Sequence, residues 1–195
     1  MGLLSNQQVV IASHNRGKVR EMRAILAPFD LKVIAAVDMQ LDQPIEDGDS
    51  FAANAEIKAA TACRSTGLAA IADDSGLVVP VLNGSPGVYS ARWAGPEKNY
   101  AKAMELIKTR VGDLSKNAHF TCALCLALPS GICHTFLGHV FGQLTFPPRG
   151  TKGFGYDPIF IPDGYSETFA QMDQDIKHSI SHRSQAFSRL REELL

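Results

Sequence analysis

The apolar run Val9-Val10-Ile11-Ala12 passes directly into the polar segment Ser13-His14-Asn15-Arg16-Gly17-Lys18, and then into apolar residues at helical spacing, Val19, Met22, Ile25, Leu26 and Phe29. A short buried strand followed at once by a stripe of period 3.6 is the opening of an α/β unit. The spacing predicts a helix over 18–27, stopped by Pro28, which cannot continue one. A strand over 31–37 follows, then an alanine-rich helix over 50–64 that closes near Gly67. Residues 68–72 read as a buried strand running out into Asp73-Asp74-Ser75-Gly76, with a second apolar run over 77–82 and a helix over 97–111. Beyond that the texture changes. Residues 119–128, a Pro129-Ser130-Gly131 turn and residues 132–144 read as a hairpin of long strands. A glycine-rich loop over 150–155 precedes a strand at 159–161, and a last helix covers 184–194. No repeat, low-complexity tract or linker separates the two textures, so they are expected to share one mixed sheet in a single domain, residues 1–195.

Composition narrows the partners. With 45% apolar and 20% charged residues and a net charge of −1, the chain has a globular balance without the basic excess of a general nucleic-acid binder. No apolar stretch approaches the ~18 residues of a membrane span and no basic leader precedes one, so the expected location is cytoplasmic, with no nucleic-acid or membrane partner. The four cysteines, Cys63, Cys122, Cys125 and Cys133, are too sparse for a disulfide scaffold and read as reduced packing residues. Cys122 and Cys125 have zinc-like spacing, near His119, Cys133 and His134, but lie in an apolar strand without a glycine-bearing knuckle turn.

Three polar segments carry candidate chemistry. Ser13 to Lys18 sits where backbone N–H groups at a helix N-terminus and a lysine can hold a phosphate; an ordinary polar turn is the alternative. It is not a Walker A loop, because Ala12 and Val19 stand where that motif needs Gly and Ser or Thr. Asp73-Asp74 at the exit of a buried strand lies where α/β sheets bind ligands. Neighbouring strand residues face opposite ways, so one aspartate meets a substrate and the other caps or holds. The alternative is an Asx turn with Gly76 at positive φ. The acidic segment Glu46-Asp47-Gly48-Asp49 precedes the second helix, and Mg²⁺ takes one or two carboxylates together with substrate phosphates. Asn54 and Lys58 lie four apart on that helix and so share a face, although a lone lysine is usually solvated.

Two segments suit a flat base. Gly153-Phe154-Gly155-Tyr156-Asp157 combines rings, flexible glycines and one carboxylate, a stacking surface with an acceptor for a base edge, or else a tight loop with Phe154 plugging the core. Ser181-His182-Arg183, with Lys177 nearby, offers donors to phosphate or a base carbonyl, or a simple helix cap at Ser181.

In order and wording these blocks resemble the Ham1-like inosine triphosphate pyrophosphatase family. The likeness runs through Ser13 to Glu21, Asp49 to Ala55, Ala72 to Leu77, Pro86 to Trp93, Gly153 to Phe160 and Ser181 to Arg183, nearly the whole chain. It implies an α/β fold with a long central mixed β-sheet, flanking helices and two lobes around an active-site cleft, usually as a homodimer. It also implies Mg²⁺-dependent hydrolysis of ITP, dITP and XTP to the monophosphate and pyrophosphate, which clears deaminated purines from the nucleotide pool. Carried onto matching positions, Ser13, His14, Asn15, Arg16, Gly17 and Lys18 hold phosphates; Asp74 is general base and metal carboxylate; Ser75 contacts substrate. Phe154, Gly155, Tyr156, Asp157, Lys177, His182 and Arg183 supply the base and remaining contacts, and Asn54 and Lys58, taken from their shared helix face, are added to the expected substrate contacts. One departure stands out: where relatives carry two glutamates before the glycine of the acidic loop, this chain has Ile45-Glu46-Asp47-Gly48, so Glu46 or Asp47 is the expected second metal carboxylate. Lys18, Lys58 and Lys177 with Mg²⁺ would offset the about four charges of a triphosphate. A donor from His182 or Arg183 to the 6-oxygen would exclude adenine, whose amino group offers it no acceptor. A non-hydrolysing nucleotide sensor and a pyrophosphatase for pyrimidine or modified nucleotides are the competing readings.

Overall fold

The computed structural model describes residues 8–29 and 31–194; residues 1–7 and 195 of the expected domain, and Asp30, lie outside the described residues. Six strands hydrogen-bond in the order β2-β1-β3-β4-β5-β6: β1 Gln8–Ile11, β2 Lys32–Ala35, β3 Ala69–Val78, β4 Asn117–Ala127, β5 Cys133–Leu144 and β6 Phe160–Pro162. β1 runs parallel to β2 and β3, Val10 standing opposite Ile34 and Ala70, whereas β5 and β6 are antiparallel. The sheet is therefore mixed, as the change of texture along the sequence implies. The helices are α1 Arg16–Leu26, α2 Phe51–Thr66, α3 Ser90–Trp93, α4 Tyr100–Val111, α5 Gln174–Ile180 and α6 His182–Leu194.

The chain divides into two compact units. Unit one comprises the chain as far as Asp74, Cys122–Gly138 and the segment from Arg183 onward; unit two comprises Ser75–Thr121 and His139–His182. In unit one, Val9, Ile11, Ile71, Cys122, Leu124 and Leu126 meet Val19, Met22 and Leu26 of α1 and Phe187 and Leu190 of α6. A second cluster of that unit packs Val10, Ala70, Ala72, Ala123 and Cys125 on Ala55, Ala59, Ala62 and Cys63 of α2. Alanine on both surfaces allows this helix and these strands to approach closely. In unit two, Leu77, Ile107, Phe120, Val140, Ile159, Phe160 and Phe169 form the core.

Several boundaries follow from local chemistry. The Asn15 side chain accepts the N–H groups of Gly17 and Lys18, so α1 starts at Arg16, two residues before the expected start at Lys18. Ser50 caps α2, and Gly67 closes it at φ 69°. β3 is twice the expected length: Asp73-Asp74-Ser75-Gly76 is strand, not turn, and ion pairing of both carboxylates keeps a strand there where composition suggests a bend. α5 escapes the periodicity reading because Gln174-Asp175-Ile176-Lys177-His178 has no apolar stripe; Asp173 caps it.

Candidate active site

β3 presents its two aspartates to different partners, as period-2 alternation requires. Asp73, 1% exposed, accepts from Arg183 Nη2 at 2.9 Å and Nε at 3.2 Å, and pairs with Lys18 Nζ at 3.2 Å. Arg183 also donates through Nη1 to Glu21 of α1. Burial alone would raise the Asp73 pKa, but Lys18, Arg183 and Lys58 outweigh it and hold the carboxyl well below the usual range. Burial likewise works against the Arg183 charge and is overcome by Asp73 and Glu21, which push its pKa up. These four residues, buried except for the half-buried Lys18, are held together by charge.

Asp74 takes the other side. Its Oδ2 accepts from Asn54 Nδ2 at 3.2 Å and its Oδ1 from Lys58 Nζ at 3.4 Å. Glu46 Oε2 accepts from the same ammonium at 2.7 Å. Lys58 is 8% exposed; burial disfavours its charge, yet Asp74 and Glu46 win and raise its pKa, so it is a buried cation and not the solvated lysine that residue type alone suggests. Asn54 Oδ1 accepts the Gly48 N–H at 2.9 Å, tying the acidic segment to α2. Ile45 is 82% exposed and Asp47 is exposed, so Glu46 is the carboxylate of that segment that reaches Lys58.

Among the described residues no group of three or more His, Cys, Asp or Glu side chains could hold a metal alone. Glu46 and Asp74, from separate elements, nevertheless converge on one ammonium. Two carboxylates completed by substrate oxygens are the donor set Mg²⁺ commonly takes. Unit one thus sets four carboxylates, Glu21, Glu46, Asp73 and Asp74, against three cations, Lys18, Lys58 and Arg183, a balance that suits a further cation.

The polar loop departs in detail from an open anion cradle. Asn15 already takes two of the helix-terminal N–H groups, Ser13 Oγ accepts the Asn15 N–H at 3.2 Å, and His14 Nε2 lies 2.7 Å from the Leu41 carbonyl. Arg16 is exposed.

In unit two, Asp157 anchors its own loop: Oδ2 accepts from the Phe154 N–H at 2.8 Å and from Lys177 Nζ at 2.7 Å. The Lys177 ammonium stands 5.1 Å from the Phe154 ring centre. Phe154 is half-buried and outside the core clusters, so it does not plug the core. Tyr156 is 2% exposed and donates to the Ser90 carbonyl at 2.8 Å; burial, then Tyr100, raises its pKa. The His182 ring stacks on Phe120 at 5.0 Å. Arg183, the next residue, belongs to unit one and is engaged there by Asp73 and Glu21.

Glu21, Ser90 and Phe120 were not singled out from sequence. For Glu21 a signal existed, an acid beside the stripe Val19-Met22-Leu26. Cys122 and Cys125, three apart, fall in different core clusters, and burial pushes both thiols up to about 12, which agrees with packing and not with zinc ligation.

A Ham1 family model matches residues 9–193. A dITP/XTP pyrophosphatase of Zymomonas mobilis is 50% identical over 187 residues, spanning 94% of this chain and 90% of that protein. Its counterpart in Rhodospirillum centenum is 51% identical, spanning 93% and 92%. The Staphylococcus aureus Ham1 protein structure superposes with a TM-score of 0.85 at 36% identity, covering 95% of this chain and 97% of that one. The match thus runs over nearly the whole chain in sequence and in structure, and this chain belongs to the Ham1 family.

Proposed function

We propose that this protein hydrolyses deaminated purine nucleoside triphosphates (ITP, dITP and XTP) at the α–β phosphoanhydride bond, giving the monophosphate and pyrophosphate. The observation that carries the reading is the convergence of Glu46 and Asp74 on Lys58, and the relatives named dITP/XTP pyrophosphatase supply the substrate class. The catalytic unit is the single domain 1–195.

Ser13 to Lys18, with Asn54 and Lys58, hold the phosphate end, and Lys18 and Lys58 offset its charge. Asp74 orients the attacking water and takes its proton. Mg²⁺, held by Glu46 and Asp74 with Asp47 nearby in sequence, would polarise the phosphate oxygens and neutralise the pyrophosphate leaving group. Ser75 contacts substrate. Phe154, with Gly155 and Tyr156, forms the base platform fixed by Asp157 and Lys177. His182 and Arg183 are the donors to the 6-oxygen; Arg183 serves only by giving up bonds to Asp73 or Glu21, so His182 takes the larger share. A homodimer belongs to the same proposal, supported by Phe141, which is 58% exposed beside the His119 ring. The location is cytoplasmic, with no nucleic-acid or membrane partner; among the described residues no helix is long and apolar enough to cross a membrane.

The test is pyrophosphate release from ITP, dITP, XTP, GTP, ATP and dUTP, with and without Mg²⁺. Release from the 6-oxo deaminated purines at roughly 10²-fold or more over ATP is expected, and Asp74→Asn should lower it by about 10²–10⁴-fold. Binding without release would establish a sensor instead, and a preference for dUTP would move the chain to a different substrate class.

A further inference from the structure

We infer that Ser90 is a positioning residue that holds two parts of unit two in register: the stretch of β3 carrying Ser75, and the loop carrying Phe154 and Asp157. The inference rests on the nucleotide reading of those residues. Ser90 is 7% exposed, and both sides of its hydroxyl are committed. The oxygen accepts the Leu77 N–H at 3.0 Å, and the proton goes to the Gly87 carbonyl at 2.7 Å. Leu77 lies two residues beyond Ser75 on one strand, hence on the same face. The Ser90 carbonyl accepts the Tyr156 hydroxyl at 2.8 Å, and the Tyr156 ring meets Tyr100 edge-on at 5.3 Å. Tyr156 directly precedes Asp157, on which the Phe154 N–H and Lys177 both hang. One buried residue thus fixes a strand through its side chain and a loop through its main chain.

The fit leaves no slack. A Cβ on Gly76 would run into Ser90 Oγ and the Gly87 carbonyl, so the Leu77–Ser90 bond exists because position 76 carries no side chain. Losing either partner leaves a buried donor or acceptor unsatisfied, which is costly enough to make the backbone move.

The test uses the full chain with Ser90→Ala, Tyr156→Phe, the double variant and Gly76→Ala. Amide hydrogen exchange without nucleotide comes first. Ser90→Ala and Gly76→Ala should speed exchange in peptides covering both 75–79 and 153–158; Tyr156→Phe should do so only in 153–158. In turnover, Tyr156→Phe should raise KM for ITP about tenfold with kcat nearly unchanged and narrow the ITP-to-ATP ratio. Ser90→Ala should lower kcat/KM about tenfold or more, and the double variant should be no worse than Ser90→Ala, the signature of one shared unit. Unchanged exchange at 153–158 in both single variants overturns the inference. So do multiplicative losses in the double variant, or lowered melting temperatures with KM and the ITP-to-ATP ratio intact. If the parent releases no pyrophosphate yet the exchange pattern appears, the coupling through Ser90 stands and the nucleotide reading fails.

Discussion

Replacing Asp73 by asparagine removes a carboxylate that Lys18 and Arg183 both hold and leaves Arg183 with Glu21 alone, and breaking a buried ion pair by removing one partner typically costs about 3–5 kcal/mol. The pH dependence gives the sign. Asp73 titrates below its unfolded value of about 3.9, so its contribution is fully present above that value and drains away as pH falls from about 4 toward the lower native pKa. The stability gap between parent and Asp73→Asn should therefore be widest at neutral pH and close in acid. Denaturant melts from pH 7 to pH 3 check this, and a gap constant over that range contradicts it. The opposed roles of Asp73 and Asp74 were legible from strand alternation alone. The job of Arg183 was not: its partners lie 110 and 162 positions away in sequence, and no local pattern announces a pairing of that range. Glu46 was named beside Asp47 as a metal carboxylate, and the structure adds that Glu46 is the one of the two that reaches Lys58.

At the scale of elements, two glycines that look alike in sequence should behave differently. A Cβ at Gly67 meets nothing, so Gly67→Ala pays only for its backbone angle of 69°, about 1 kcal/mol. At Gly142 the added Cβ would run into the Ile161 carbonyl on the neighbouring strand, and overpacking there should cost about 1–3 kcal/mol. Urea unfolding of both variants separates the two cases; equal losses would mean that β6 gives way. Residues whose periodicity is strong, in α1, α2 and the β4–β5 hairpin, could be read from the chain with small errors at the ends. The errors share a cause: polar side chains whose bonds override what their residue types favour locally. Asn15 moved the start of α1, and ion pairs carried β3 through four polar or small residues that favour a turn in isolation.

Across the whole molecule, the cysteines report on packing. Cys63, Cys122 and Cys125 are buried and Cys133 is exposed; thiols with raised pKa react slowly because the thiolate is the nucleophile. Native protein should show one fast thiol toward Ellman's reagent and four after denaturation, with Cys133→Ser removing the fast one; two fast thiols would put the β4–β5 packing in error. The mixed sheet itself was legible in the change of texture near residue 119, whereas only the family resemblance suggested two lobes, because the boundaries between the units fall within β3, β4 and β5 and at the start of α6 and leave no linker in the sequence. The opposed aspartates of β3 also bear on how this gene can drift in length. Deleting one codon between Ala69 and Asp73 would exchange the faces of the two carboxylates, turning the partner of Arg183 toward Lys58 and the partner of Lys58 toward Arg183, so indels should be purged from β3 while the Pro129-Ser130-Gly131 turn tolerates them.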